Sequence, residues 1–125
     1  MTNPIVDTKE SQIPDEKQIQ STIQSVLKSK LSNLNDSNLH QPNSLALFKT
    51  LNNECGESIK KNLIDLYPKG YKFIVCTQMI ENKGQKGTAG LVSFWDEEND
   101  KVITGIWSND FIIGTATVII IKVAY

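Results

Sequence analysis

From Asp15 onward, apolar residues recur at spacings of three and four: Ile19, Ile23, Val26, Leu27, Leu31 and Leu34, with Lys, Gln and Ser between them. That period predicts an amphipathic helix. Asp15 is placed to cap it, and Gln18, three residues on, stands where a capping-box partner would. The stretch Asn35 to Pro42 is built of Asn, Asp, Ser, His and Pro and breaks the pattern, which turns the chain back. A second stripe follows a candidate cap at Asn43: Leu47, Phe48, Leu51, Cys55, Ile59, Leu63 and Leu66, with Lys49, Glu57, Lys60, Lys61 and Asp65 facing out. Pro68 and Gly70 end this second helix. Gly56 in its interior costs about 1 kcal/mol against alanine. Two explanations compete: tight packing on the other helix or the sheet, or close passage of another peptide backbone.

Beyond Tyr71 the period changes to that of strands. The segments Lys72 to Asn82, Gly87 to Trp95, Lys101 to Ser108 and Ile112 to Val123 are rich in β-branched and aromatic residues and are separated by turn signals. Asn109 and Asp110 tolerate positive φ and suit the turn into the last strand. Pattern alone joins the first two strands as a plain hairpin through the loop containing Gly84. The predicted architecture is α+β: two N-terminal helices packed on a four-stranded antiparallel sheet over residues 15–125, preceded by a mobile arm, residues 1–14. In the last strand Val118, Ile119, Ile120 and Ile121 make both faces apolar. Two helices on one side cover a single face, so a second copy is expected on the other.

Composition narrows the function. The chain of 125 residues has a formal net charge of −1, its thirteen basic residues are all Lys, and no segment gathers them into a stripe. Nucleic-acid binding is therefore not expected. The first fourteen residues lack a signal-peptide core, and no apolar run approaches the ~20 residues of a spanning helix, so no membrane insertion and a reducing compartment are expected. In that setting Cys55 and Cys76 are expected to be free buried thiols and not a disulfide. Catalysis has little to build on: His40 is the one histidine and falls in the polar break between helices. The Gly84 to Gly90 loop carries Lys-Gly-Thr leading into a strand, whereas a phosphate loop needs Gly-Lys-Thr opening a helix. The acidic turn Asp96 to Asp100 lacks the glycine and terminal Glu of a calcium loop. No catalytic residue, metal or cofactor is expected. Trp95 and Trp107 fit either as packing residues or as interface anchors.

Several of these segments carry a likeness. Tyr71-Lys72-Phe73-Ile74-Val75, a glycine-containing loop, Ser93-Phe94-Trp95-Asp96, and Trp107-Ser108-Asn109-Asp110 before a closing apolar strand resemble the Tctex-type dynein light chain family. The resemblance implies a non-enzymatic homodimer in which the second strand, Gly87 to Trp95, is exchanged between subunits. It implies membership of a microtubule minus-end-directed dynein complex, in the cytoplasm or in a ciliary or flagellar axoneme, with the dynein intermediate chain and cargo proteins as partners. Capture would proceed by β-strand addition at a sheet edge, where unpaired N–H and C=O groups meet an extended peptide. The peptide contacts are then placed at Thr88, Ala89, Leu91, Ser93 and Phe94, opposite Asn52, Cys55 and Gly56. The dimer contacts are placed at Val92, Trp95, Val118 and Ile120. A monomeric cystatin-like inhibitor or ligand-binding domain is the alternative that the same α+β pattern allows.

Overall fold

The computed structural model describes residues 13–34, 42, 44–82, 90–94 and 100–123, with backbone alone for 90–94. Two helices, α1 (Glu16–Leu31) and α2 (Ser44–Leu66), precede strands β1 (Tyr71–Glu81), β2 (Gly90–Phe94), β3 (Lys101–Ser108) and β4 (Ile112–Lys122). This is the expected α+β order of two helices on an antiparallel sheet. The expected caps Asn43 and the residues of the interhelical break other than Pro42, His40 included, lie outside the described residues.

Asp15 caps α1 in extended conformation, its side chain accepting from the Lys17 N–H at 3.4 Å. The capping box expected with Gln18 does not close directly. The Tyr67 hydroxyl stands between its halves, accepting from the Asp15 N–H at 3.0 Å and donating to Gln18 Oε1 at 2.7 Å. Tyr67 follows the last turn of α2 and is fully buried, so one hydroxyl ties the end of the second helix to the start of the first. The helical stripe ends at Leu31, but Leu34 remains buried beyond it. Gly70 then adopts a φ of +88°, a conformation that strains residues with a side chain, and turns the chain into β1.

The sheet order is β1-β4-β3-β2. All eleven residues of β1 pair antiparallel with β4, from Tyr71 opposite Lys122 to Glu81 opposite Ile112. On its other side β4 pairs with β3. The plain hairpin between the first and second strands is therefore not found: β2 lies along the far side of β3, three strands from β1. The physical reason is the composition of β4. It is apolar on both faces, and such a strand is best placed with a neighbour on each side. The β3–β4 turn also differs from expectation. No described non-glycine residue has positive φ; instead Asn109 Oδ1 accepts from the Phe111 and Ile112 N–H groups, both at 2.9 Å, an Asx turn.

Strand alternation divides the sheet into two faces. One face, with Phe73, Ile103, Ile112, Ala116, Val118 and Ile120 buried, forms a single core with Ile19, Ile23, Leu27, Leu31, Ile59 and Leu63 of the helices. Helix α2 packs on β1, and α1 packs on β3 and β4. A Cβ added to Gly114 would stand 2.5 Å from Leu31 Cδ1, so glycine sets how closely α1 approaches. Gly105, inside β3, pairs without a break with Ala116.

The opposite face carries Ile74, Ile80, Val102, Ile106, Ile113, Ile119 and Ile121, with Cys76 and threonines among them. None of these is fully buried; Ile74 and Ile80 are 38% and 52% exposed. Neither α1 nor α2 lies on this side.

Candidate functional site

The outer edge of β1 has no strand beside it among the described residues. Its outward N–H and C=O groups repeat along eleven residues, a ready ladder for an extended chain. Beside that edge runs α2, and between them lies an open groove of about 290 Å³ lined by Asn52, Gly56, Lys60, Lys72, Ile74 and Thr77, among others. Thr77 Oγ1 donates to the Asn52 carbonyl at 2.9 Å, which fixes the helix over the strand at this level. Asn52 Oδ1 is closed off from solvent and has no hydrogen-bond partner among the described residues; leaving such an acceptor unpaired costs about 1–3 kcal/mol.

Gly56 answers the question posed by its place in a helix. A Cβ there would meet Thr77 side-chain atoms at 3.6 and 3.8 Å, ordinary van der Waals contact, so packing on the sheet does not demand glycine. The space in front of it opens to the groove.

The expected peptide contacts divide into four groups. Asn52 and Gly56 line the groove. Cys55, their neighbour, points into the core and is fully buried, so in this copy it does not face the groove. Burial, with smaller opposing effects of Lys30 and Glu54, raises its thiol to about 11, leaving it protonated and unreactive near neutrality. Leu91, Ser93 and Phe94 belong to β2, which sits on β3 at the opposite edge of the sheet. Thr88 and Ala89 lie outside the described residues. One copy thus does not bring the two halves of the expected site together.

The expected dimer contacts need a correction. Val118 and Ile120 lie under the helices, 0% and 1% exposed, and are core residues. The residues of β4 on the open face are their alternates, Ile113, Ile119 and Ile121. A run of four β-branched residues does not reveal which pair faces which way. The sequence held one signal that does: Gly114 and Ala116 are small, as a helix packing on a sheet requires, and they share alternation with Val118 and Ile120. Val92 belongs to β2, opposite Thr104, and Trp95 lies outside the described residues. Trp107 packs half-buried against the core, the packing alternative of the two weighed for it. Sequence reasoning also missed Thr77 and Lys72 as groove residues, since only the β1–α2 contact places them there.

Among the described residues, no cluster of His, Cys, Asp and Glu is placed to hold a metal ion, and no helix is long and apolar enough to cross a membrane. The geometry offers hydrogen-bonding edges and an apolar face.

Comparison with known proteins agrees with the fold. The model of the Tctex-1 family matches residues 14–121, which takes in both helices and nearly all of the sheet. An uncharacterized protein of Mycosarcoma maydis is 34% identical over 79 residues, covering 63% of this chain and 52% of that protein; the match spans about half of the relative's length. The extent of the family match, together with two helices on an antiparallel sheet in the expected order, establishes that the chain belongs to the Tctex-1 family.

Proposed function

We propose that this chain is a non-catalytic dynein light chain of Tctex type: a homodimer that captures extended segments of the dynein intermediate chain, and of cargo proteins, by β-strand addition. The observation that carries this is the two-sided sheet, with one face sealed by helices and the other lined by Ile74, Ile113, Ile119 and Ile121, with no helix on it among the described residues. An exposed apolar patch of this kind, here broken by Thr104, Thr115 and Thr117, marks an interaction surface. A second copy of the sheet supplies a matching surface under twofold symmetry.

Exchange of β2 completes the arrangement. In the dimer β2 leaves its own β3 and adds to the free edge of β1 in the second copy, giving each sheet its fourth strand. Leu91, Ser93 and Phe94 then lie beside Asn52 and Gly56, which a single copy holds at the opposite edge. The peptide adds to the outer edge of the exchanged strand. Two such sites related by the dimer axis hold two intermediate chains, and the second contact gains from high effective concentration. The complex acts on microtubules as part of a minus-end-directed motor, in the cytoplasm or in an axoneme.

The reading is tested by affinity purification from the source cells, read by mass spectrometry. Dynein intermediate chain is the expected partner. Recovery of proteases and no dynein subunit would support the cystatin-like alternative. Within the proposal, Leu91→Pro removes a main-chain donor from the added strand and is expected to abolish intermediate-chain capture; unchanged capture would mean that a different edge is used.

A further inference from the structure

At 3.6 residues per turn, Lys49, Asn53, Gly56 and Lys60 fall on one stripe of α2. Asn53, Gly56 and Lys60 line the groove beside β1, so this stripe is the flank of the helix that overlooks the free strand edge. Lys49 continues it about one turn beyond Asn53. The acidic residues of the helix are placed differently. Glu54 and Asp65 face away from that flank, and Glu57 stands at the outer rim of the groove. From the strand side Lys72 joins the lining. Lys49, Lys60 and Lys72 are all exposed.

Their order along the edge follows from the fold. Helix α2 leads directly into β1, and Thr77 is bonded to the Asn52 carbonyl, so helix and strand run in opposite directions. Lys60 is therefore level with the start of β1, where Lys72 lies, and Lys49 stands just beyond Thr77. Along the helix Lys49 and Lys60 are about 16 Å apart, the span of about five residues of extended strand. The segment expected to exchange between copies, residues 87–95, contains no acidic residue and so offers these lysines no counter-charge. A strand added outside it lies about 4.8 Å further out, a distance that the flexible stem of a lysine spans.

We propose that Lys49 and Lys60 decide which segments are captured: the occupant is an extended acidic segment with two carboxylate side chains about five residues apart, one meeting Lys49 and the other meeting Lys60 and Lys72. This rests on the capture by strand addition proposed above.

The test is selection of a displayed library of random peptides on the intact chain and on the Lys49→Glu, Lys60→Glu double variant, with sedimentation velocity and circular dichroism of each protein. On the intact chain, Asp and Glu are expected to be enriched at two positions about four to six residues apart. On the double variant, Lys and Arg are expected at those positions. A peptide selected on the intact chain is expected to bind the variant about 5- to 50-fold more weakly at low salt, with the difference shrinking at high salt. Should the reversed charges disturb the fold, the neutral pair Lys49→Gln, Lys60→Gln is used, and the acidic enrichment is expected to fade. Captured peptides without the acidic positions, or the same acidic preference on the variant, would overturn the proposal. So would a weakened dimer with an unchanged peptide preference, since the lysines would then serve the contact between copies. A chain that captures no peptide from the library would instead remove the strand-addition reading beneath it.

Discussion

Placing a charge at the centre of the open face, Ile119→Lys, separates the fold from the dimer. Ile119 lies between Ile74 of β1 and Val102 of β3, which occupy the same rank across the sheet. In a single copy it is half-buried by these neighbours, and its replacement leaves the helix-side core untouched. A lysine there keeps its ammonium in water but gives up part of the isoleucine's packing between its two neighbours, which costs the single copy about 1 kcal/mol. In the proposed dimer the remaining exposed part of the side chain is covered. Full burial of an isoleucine is worth about 1.5–3 kcal/mol; at most about a third of the side chain is left exposed in the single copy, which gives about 0.5–1 kcal/mol per copy and about 1–2 kcal/mol per symmetric dimer. That corresponds to a dissociation constant raised by about 5- to 30-fold, and the cost of burying the ammonium adds to it. Sedimentation equilibrium of the two proteins reads the ratio, and far-ultraviolet circular dichroism checks that the fold is kept. A variant that dimerises as tightly as the intact chain, with its fold unchanged, would refute the claim that this face is the contact between copies.

Four further outcomes follow from the fold. Tyr67→Phe removes the hydroxyl that joins Asp15 to Gln18; a loss of about 1–3 kcal/mol, or about 4 °C in Tm for each kcal/mol in a chain of this size, is expected in thermal melts. Gly114→Ala drives a methyl group against Leu31 and is expected to cost about 1–3 kcal/mol through overpacking, read by urea denaturation. Iodoacetamide at pH 8 is expected to label Cys76, exposed on the open face, and to spare Cys55, with Cys76 labelling slowing as protein concentration rises and the dimer forms. Because burial raises the Cys55 thiol from 9.0 to about 11, its protonated form contributes stability below pH 9 that is lost as the pH climbs to about 11. A chain whose stability rose over that window would contradict the buried placement.

Local pattern made much of the fold legible. Both helices were readable from stripes of apolar residues at three and four, because a helix burying one face on a sheet must repeat at that spacing. Strand positions were readable from β-branched runs between turn residues. Strand order was not. The hairpin expected between the first two strands assumed that neighbours in sequence pair, whereas β1 matches β4 along its full length and β2 goes to the other edge. The faces of β4 were misassigned for a related reason: with apolar residues at every position from Val118 to Ile121, alternation carries no sign, and only the small residues Gly114 and Ala116 show which side the helices press on. Cys55, which the resemblance puts in the binding site with Asn52 and Gly56, is buried in the core, because at 3.6 residues per turn the position next to Gly56 points elsewhere. Asn52 and Gly56, which the resemblance puts opposite the edge strand, line the groove beside β1.

The central claim, that two copies join through the open face and the exchanged strand to hold extended peptides, is tested most directly by light scattering of the purified chain at micromolar concentration, alone and with a dynein intermediate-chain segment. A particle of twice the 14.0 kDa chain mass, taking up two peptide segments, is the predicted result. A particle of 14.0 kDa that takes up none would contradict it.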